Sequence, residues 1–113
     1  MLILGIDLGT SFLKVCIYDA DSVKVVTSIQ YPNTEVQIIS KRPGWAEQPP
    51  ETWWENTTCA IKKAHETKLY HPKDIRAIGI SYQMHGLVLE ILRIPEIFFM
   101  HILGKWILLQ EPF

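Results

Sequence analysis

Neither sign of charge dominates this sequence. Eleven Lys and Arg stand against 12 Asp and Glu, a formal net charge of −1. A nucleic-acid partner therefore has no electrostatic support, since that affinity comes largely from neutralised phosphates. Cysteine is scarce: Cys16 and Cys59 are the two in 113 residues, with no CxxC spacing and no ligand-like cluster around them. Both fall in patterns that bury a free thiol, so a thiolate metal site is not expected, and a reducing, cytoplasmic setting fits. The six glycines form neither GxGxxG nor a loop ending in GK[ST], which weakens a dinucleotide-binding reading and a P-loop reading alike. Long apolar runs are also missing. The most apolar stretch, 97–109, is too short for a membrane span and carries His101 and Lys105. Asp7 interrupts the first apolar stretch with no basic leader before it, so a signal peptide is not expected. Without an export signal, Asn56-Thr57-Thr58 is a chance match to the glycosylation pattern. There is no internal repeat, heptad or low-complexity block.

What is present reads as an α/β unit. Composition is ordinary, 48% hydrophobic, and the length suits one modest core. Residues 2–7 form a continuous Leu/Ile run, the mark of a strand buried on both faces. Residues 12–18 alternate: Leu13, Val15 and Ile17 fall on one side, Phe12, Lys14, Cys16 and Tyr18 on the other. "DADS" (19–22) is a turn, because short polar side chains bond to local backbone. "VKVVTSI" (23–29) is a third strand, and the short connections make an antiparallel meander. Pro43-Gly44 marks another turn. A helix is predicted from Pro50 to about Lys68, with Trp53 or Trp54, Thr57, Ala60 or Ile61, and Ala64 as its inner stripe. Pro50 suits the first helical position, while Pro49 is a poor cap for lack of a side-chain acceptor. "IRAIGIS" (75–81) is a fourth strand, and the helical crossover before it is long enough for parallel pairing. The expected fold is a mixed sheet: a three-strand meander, a crossover helix and a parallel fourth strand.

Two segments carry candidate chemistry. In "IDLGTS" a strand delivers Asp7 to the sheet edge, and Gly9 allows close backbone approach. Thr10 and Ser11 present hydroxyls, and N–H groups of the turn can cradle an oxyanion. A carboxylate there repels bare phosphate and makes sense if it holds Mg²⁺, directly or through water. Lys14 can offset phosphate charge. The same pattern also fits a plain β-turn with Asp7 hydrogen-bonded into it. The second segment, "SYQMHG" (81–86), follows the fourth strand, where α/β sheets commonly place ligand loops. Gln83 can donate and accept, Met84 can pack a ligand's apolar face, His85 can bond a hydroxyl, and Gly86 lets the chain turn. His85 alone also fits a satisfied structural histidine. Trp45, Trp53 and Trp54 can form a sugar-facing wall, although one of the adjacent pair suits a core anchor better. His65 and His71 read as surface residues, and no Ser-His-Asp arrangement can be assembled.

"IDLGTSFLKVCIYD", "RPGWAEQPPETWW" and "IRAIGISYQMHGLVL", in this order, resemble the FGGY-type carbohydrate kinases, and the "QMHG" element fits the xylulokinase branch better than the glycerol kinase branch. The resemblance runs from about Leu2 to Leu89. It implies the first part of a ribonuclease-H-like, actin-like ATPase domain. It further implies transfer of the γ-phosphoryl of ATP, with Mg²⁺, to a sugar hydroxyl, with the 5-hydroxyl of D-xylulose as the leading acceptor. Other pentuloses and glycerol are the alternatives. By the same resemblance, Asp7 acts on magnesium and phosphates, Gly9, Thr10 and Ser11 form the phosphate-facing turn, and Lys14 is its basic position. Met84 and His85 match the sugar-contacting pair, shaped by Gln83 and Gly86. Trp45 and Glu47 match a "W.EQ" segment near the sugar side, and Pro49 stands where the family usually has Asp. The family's general base is an aspartate in its second large domain, which this chain does not reach.

The resemblance ends near Leu89. Residues 1–89 are expected to be the N-terminal part of the first kinase domain, and 90–113 a divergent tail, from a truncated or frame-shifted product. Turnover by the 113-residue chain alone is expected to be little or none. Exposed apolar residues of the tail, among them Leu92, Ile94, Ile97, Phe98, Phe99 and Ile102, are expected to favour self-association. A competing expectation is an ATPase-fold fragment that acts only by association.

Overall fold

In the computed structural model, the described residues are 1–83 and the two strands Ile97–Ile102 and Lys105–Gln110. Four strands and one long helix make up the first unit, Met1–Gln83. The strands are β1 (Leu2–Leu8), β2 (Leu13–Asp19), β3 (Lys24–Tyr31) and β4 (Ile75–Tyr82), and the helix is α1 (Pro50–Glu66). The sheet order is β3-β2-β1-β4. β1 and β2 pair antiparallel, as do β2 and β3, whereas β1 and β4 are parallel. This is the mixed sheet expected from the connection lengths. Two short loops allow hairpins, and the 43 residues between β3 and β4 allow the chain to return in the same direction.

Alternation in β2 decides where the core lies. Leu13, Val15 and Ile17 are buried, and they meet Leu4 of β1 and Ala60 and Ala64 of α1 in one cluster. Small residues on the helix let it lie close to the sheet. Ile61 packs at the rim of this cluster. Trp53 is half-buried, but Trp54 is 70% exposed, so Trp53 takes the inner place of the pair. Pro50 occupies the first turn, and Pro49 at the cap makes no side-chain bond, as its chemistry requires.

The expectation for β1 needs correction. Only Leu4 is buried in it, and Asp7 is exposed. The reason is that α1 packs on β2 and β3 rather than across the whole sheet. Ile78, Ile80 and Tyr82 of β4 remain 62–67% exposed. A run of Leu and Ile signals apolar surface, but it does not say how much of that surface finds a cover.

The β2–β3 loop confirms the polar turn. Asp19 accepts from the Asp21 N–H at 3.1 Å and from the Ser22 hydroxyl at 2.7 Å. The Ser22 hydroxyl, then the Asp21 N–H, hold the Asp19 carboxyl below its ordinary value. Val23, which closes the loop, has φ 56°, a left-handed conformation that a β-branched residue adopts only under strain. Its side chain is exposed and contributes nothing to the core. Val23→Asn is therefore expected to stabilise the chain by about 1 kcal/mol, seen as a rise of several degrees in Tm. An unchanged or lower Tm would show that the loop is not strained there.

Both cysteines are free and half-buried. His71 caps a short 3₁₀ helix, Pro72–Asp74, its Nδ1 accepting from the Lys73 N–H at 3.2 Å. In the second unit, Met84–Phe113, strands β5 (Ile97–Ile102) and β6 (Lys105–Gln110) pair as an antiparallel hairpin, with His101 opposite Trp106. No helix among the described residues is long and apolar enough to cross a membrane.

Candidate functional site

The parallel pair β1/β4 brings its two carboxyl ends together. Asp7 stands in register with Ser81 of β4 on one side and with Lys14 of β2 on the other. All three line an open depression of about 550 Å³ on the sheet face opposite α1. Its floor is built from small residues, Gly5, Cys16, Ser28 and Gly79. Strand periodicity explains the arrangement: Leu4, Ile6 and Leu8 face the helix side, so Gly5 and Asp7 must face the other. Among the described residues no ion pair engages Asp7 or Lys14, so a carboxylate and an ammonium both stand open at the mouth of the depression. A larger depression, about 700 Å³, lies at the other end, around Met1, Asp19, Asp21, Asp74 and Arg76. It faces the amino ends of β1 and β4, the opposite end from where open α/β sheets place ligands.

Directly after β1 the chain makes the turn 9–12, closed by the Gly9 N–H donating to the Phe12 carbonyl at 3.0 Å. An added Cβ on Gly9 would stand 2.6 Å from that same Phe12 oxygen, so no larger residue fits without moving backbone. Other segments tether the rest of the turn. The Thr10 hydroxyl donates to Gln83 Oε1, and the Ser11 hydroxyl donates to Glu35 Oε1. Gln48 Nε2 donates to the Thr10 carbonyl at 2.7 Å. The Val36 N–H donates to the Ser11 carbonyl at 3.0 Å. The Gln83 N–H reaches back to the Leu8 carbonyl at 3.0 Å, which extends the β1/β4 pairing by one residue.

The predicted site residues thus fall into three groups. Asp7, Gly9, Thr10, Ser11, Lys14 and Gln83 come together at one end of the sheet. Trp45 and Glu47 lie in the approach to α1. Trp45 is exposed, with the Arg42 guanidinium 5.0 Å from its ring centroid. Glu47 pairs with Lys41 at 3.3 Å and exchanges two backbone bonds with Ile39, each 2.9 Å. Gly44, at φ 80°, makes the tight turn between those bridged positions. Met84, His85 and Gly86 lie outside the described residues, as does the side-chain placement of Leu92, Ile94, Ile97, Phe98, Phe99 and Ile102. Sequence reasoning passed over Gln48, Glu35 and Ser81. Gln48 and Ser81 were within quoted motifs, but nothing in the pattern said which atoms they would reach.

A β3-β2-β1-β4 sheet with one crossover helix and a tight turn after β1 is the opening of a ribonuclease-H-like, actin-like ATPase domain. Residues 2–90 match the model of the FGGY family of carbohydrate kinases, N-terminal domain, and the chain belongs to that family. It is 39% identical over 88 residues to a xylulose kinase of Bacillus subtilis (strain 168), covering 77% of this chain and 17% of that protein. It is 37% identical over 81 residues to glycerol kinase 2 of Thermotoga maritima, covering 72% and 16%. Among solved structures, a xyloylose kinase from Brucella ovis superposes with a TM-score of 0.64 at 33% identity, over 79% of this chain and 18% of that one. The chain therefore spans about a sixth of the length of the curated relatives it matches.

Proposed function

We propose that this chain forms the phosphate-binding corner of an ATP-dependent sugar kinase, with residues 1–89 as the kinase portion and 90–113 as a divergent tail. The observation that carries the proposal is the exposed Asp7 carboxylate, in register with Lys14 and Ser81 and directly before a glycine-dependent turn. Phosphoryl transfer needs positioning and charge neutralisation more than a covalent partner from the protein. An isolated carboxylate beside hydroxyls suits Mg²⁺, which binds through one or two carboxylates plus water and phosphate rather than an all-protein cage. No cluster of three or more His, Cys, Asp or Glu suited to a metal occurs among the described residues.

In this reading Asp7 would hold Mg²⁺ directly or through water, and the ion would offset the charge of the transferred phosphoryl group. Backbone N–H groups of the 9–12 turn take phosphate oxygens, and Lys14 supplies a further positive charge. Met84 and His85 contact the sugar, with Gln83 and Gly86 shaping their loop and Trp45 nearby. D-xylulose is the preferred acceptor, on the names of several relatives and the "QMHG" element. Another pentulose or glycerol is the alternative, since a probable L-xylulose kinase and a glycerol kinase also match.

The test is an NMR titration of the 113-residue chain with Mg·ATP, then with D-xylulose or glycerol. Mg·ATP is expected to shift the amides of Gly9, Ser11 and Phe12, and Asp7→Asn to weaken that response at least tenfold, the scale of one lost charge-assisted contact. D-xylulose is expected to shift His85, with ADP release near background, since the family resemblance implies a general base in a second domain. Amides insensitive to every ligand would end the kinase reading. They would favour association without catalysis, a reading supported by the exposed apolar side chains of β4.

A further inference from the structure

We infer that Gln48 is a positioning residue that aims the phosphate-binding N–H groups of the 9–12 turn, an inference that rests on the function proposed above. In a trans peptide the carbonyl of one residue and the N–H of the next point in opposite directions. The Thr10 carbonyl is held by Gln48 Nε2 at 2.7 Å, and the Ser11 carbonyl by the Val36 N–H at 3.0 Å. Both carbonyls are thereby turned toward the 36–48 segment. The N–H groups in the same two planes, those of Ser11 and Phe12, must point away from it. Neither has a protein acceptor among the described residues. Two adjacent, unengaged N–H donors pointing the same way suit the oxygens of one phosphoryl group.

Gln48 can do this because its own amide is oriented at both ends. Its Oε1 accepts from Trp53 Nε1 at 3.1 Å, which leaves Nε2 directed at Thr10. Trp53 is half-buried on the first turns of α1, so the chain of contacts runs from helix to indole to amide to turn. The hydroxyls of Thr10 and Ser11, by contrast, are engaged by Gln83 and Glu35. In this arrangement the open donors of the turn are its backbone N–H groups, and the two hydroxyls act as tethers. Glutamine is well suited to the task. Glutamate would keep the acceptor for the indole but could not donate to Thr10, and alanine would lose both bonds.

That difference makes the inference testable in the full 113-residue chain. Three readouts are used: hydrogen exchange of the Gly9 amide, the shift of the Trp53 indole proton, and the amide response to Mg·ATP. In Gln48→Glu the indole shift should stay near that of the parent chain, while Gly9 exchange quickens about five- to tenfold, the scale of one lost hydrogen bond. In Gln48→Ala both signals should change. Trp53→Phe removes the indole that orients the amide but leaves the Nε2 donor, so Gly9 exchange should quicken, by less than in Gln48→Glu. Parent-like Gly9 exchange in both Gln48 variants overturns the inference. So does quickened exchange in Gln48→Glu accompanied by an equal loss of the indole signal, since Gln48 would then act only by anchoring the helix. If the parent chain gives no response to Mg·ATP, the proposed function fails, while the exchange comparison still decides whether Gln48 orders the turn.

Discussion

Gly9→Ala is expected to disorder the turn after β1, destabilise the chain by about 1–3 kcal/mol and abolish its response to Mg·ATP. The steric cause is specific. The new Cβ would stand 2.6 Å from the Phe12 carbonyl oxygen, a distance that real Cβ atoms essentially never show. The obstructing atom is backbone, so no side-chain rotation relieves it. That same oxygen accepts the bond that closes the turn. Moving it away loses the bond and drags Leu13, the first buried residue of β2, with it. The effect should therefore appear in two measurements at once: a lower urea midpoint at unchanged m-value, and loss of the Mg·ATP-dependent amide shifts. Parent-like values in both would mean the turn has slack that the structure does not show, and the case for a tightly built phosphate turn would fall with it.

Ile17→Ala is expected to cost about 2–5 kcal/mol, against roughly 4–12 kcal/mol available to a unit of this size. Ile17 is fully buried, at the centre of the cluster formed by β1, β2 and α1. Truncation leaves a cavity that the flanking strands cannot close, because their positions are set by ladder bonds on both sides. Much of the chain should then be unfolded at 37 °C, as judged by circular dichroism and by collapse of amide dispersion. Ile80→Ala makes the comparison decisive. It removes the same atoms from the same sheet, but at a side chain that is 65% exposed, and should stay within about 0.5 kcal/mol of the parent. Equal losses at the two positions would show that β4 is covered as well as β2 is.

These two isoleucines also show where sequence reasoning stops. The alternation in 12–18 correctly placed Leu13, Val15 and Ile17 on one buried face. The apolar 75–81 stretch reads as a strand with no face assigned to the core, and most of it is exposed. Hydrophobic pattern reports which face wants cover. The cover itself comes from α1, which lies over β2 and β3. The tryptophans follow the same logic. Helical periodicity left Trp53 and Trp54 interchangeable, and packing together with the Gln48 contact settled on Trp53.

In the candidate site, Asp7 at a strand end and Gly9 at a close backbone approach were legible because both follow from short-range pattern, whereas the register of Lys14 beside Asp7 came from the sheet. The tethers of the turn were not. Glu35 lies 24 residues from Ser11, Gln48 38 residues from Thr10, and Gln83 73 residues from Thr10. No local spacing encodes contacts of that range.

By itself the sequence determined the four strands and the long helix of the first unit, their order, the parallel return of β4 and the family, because these depend on side-chain periodicity, connection length and motif order; the β5/β6 hairpin was not read from it. Only the tertiary structure decided which sheet face stayed open beside Asp7, and which atoms hold the carbonyls of Thr10 and Ser11. The physical reason is that a carbonyl is turned by whatever donor meets it in space, and that donor arrives from a distant part of the chain.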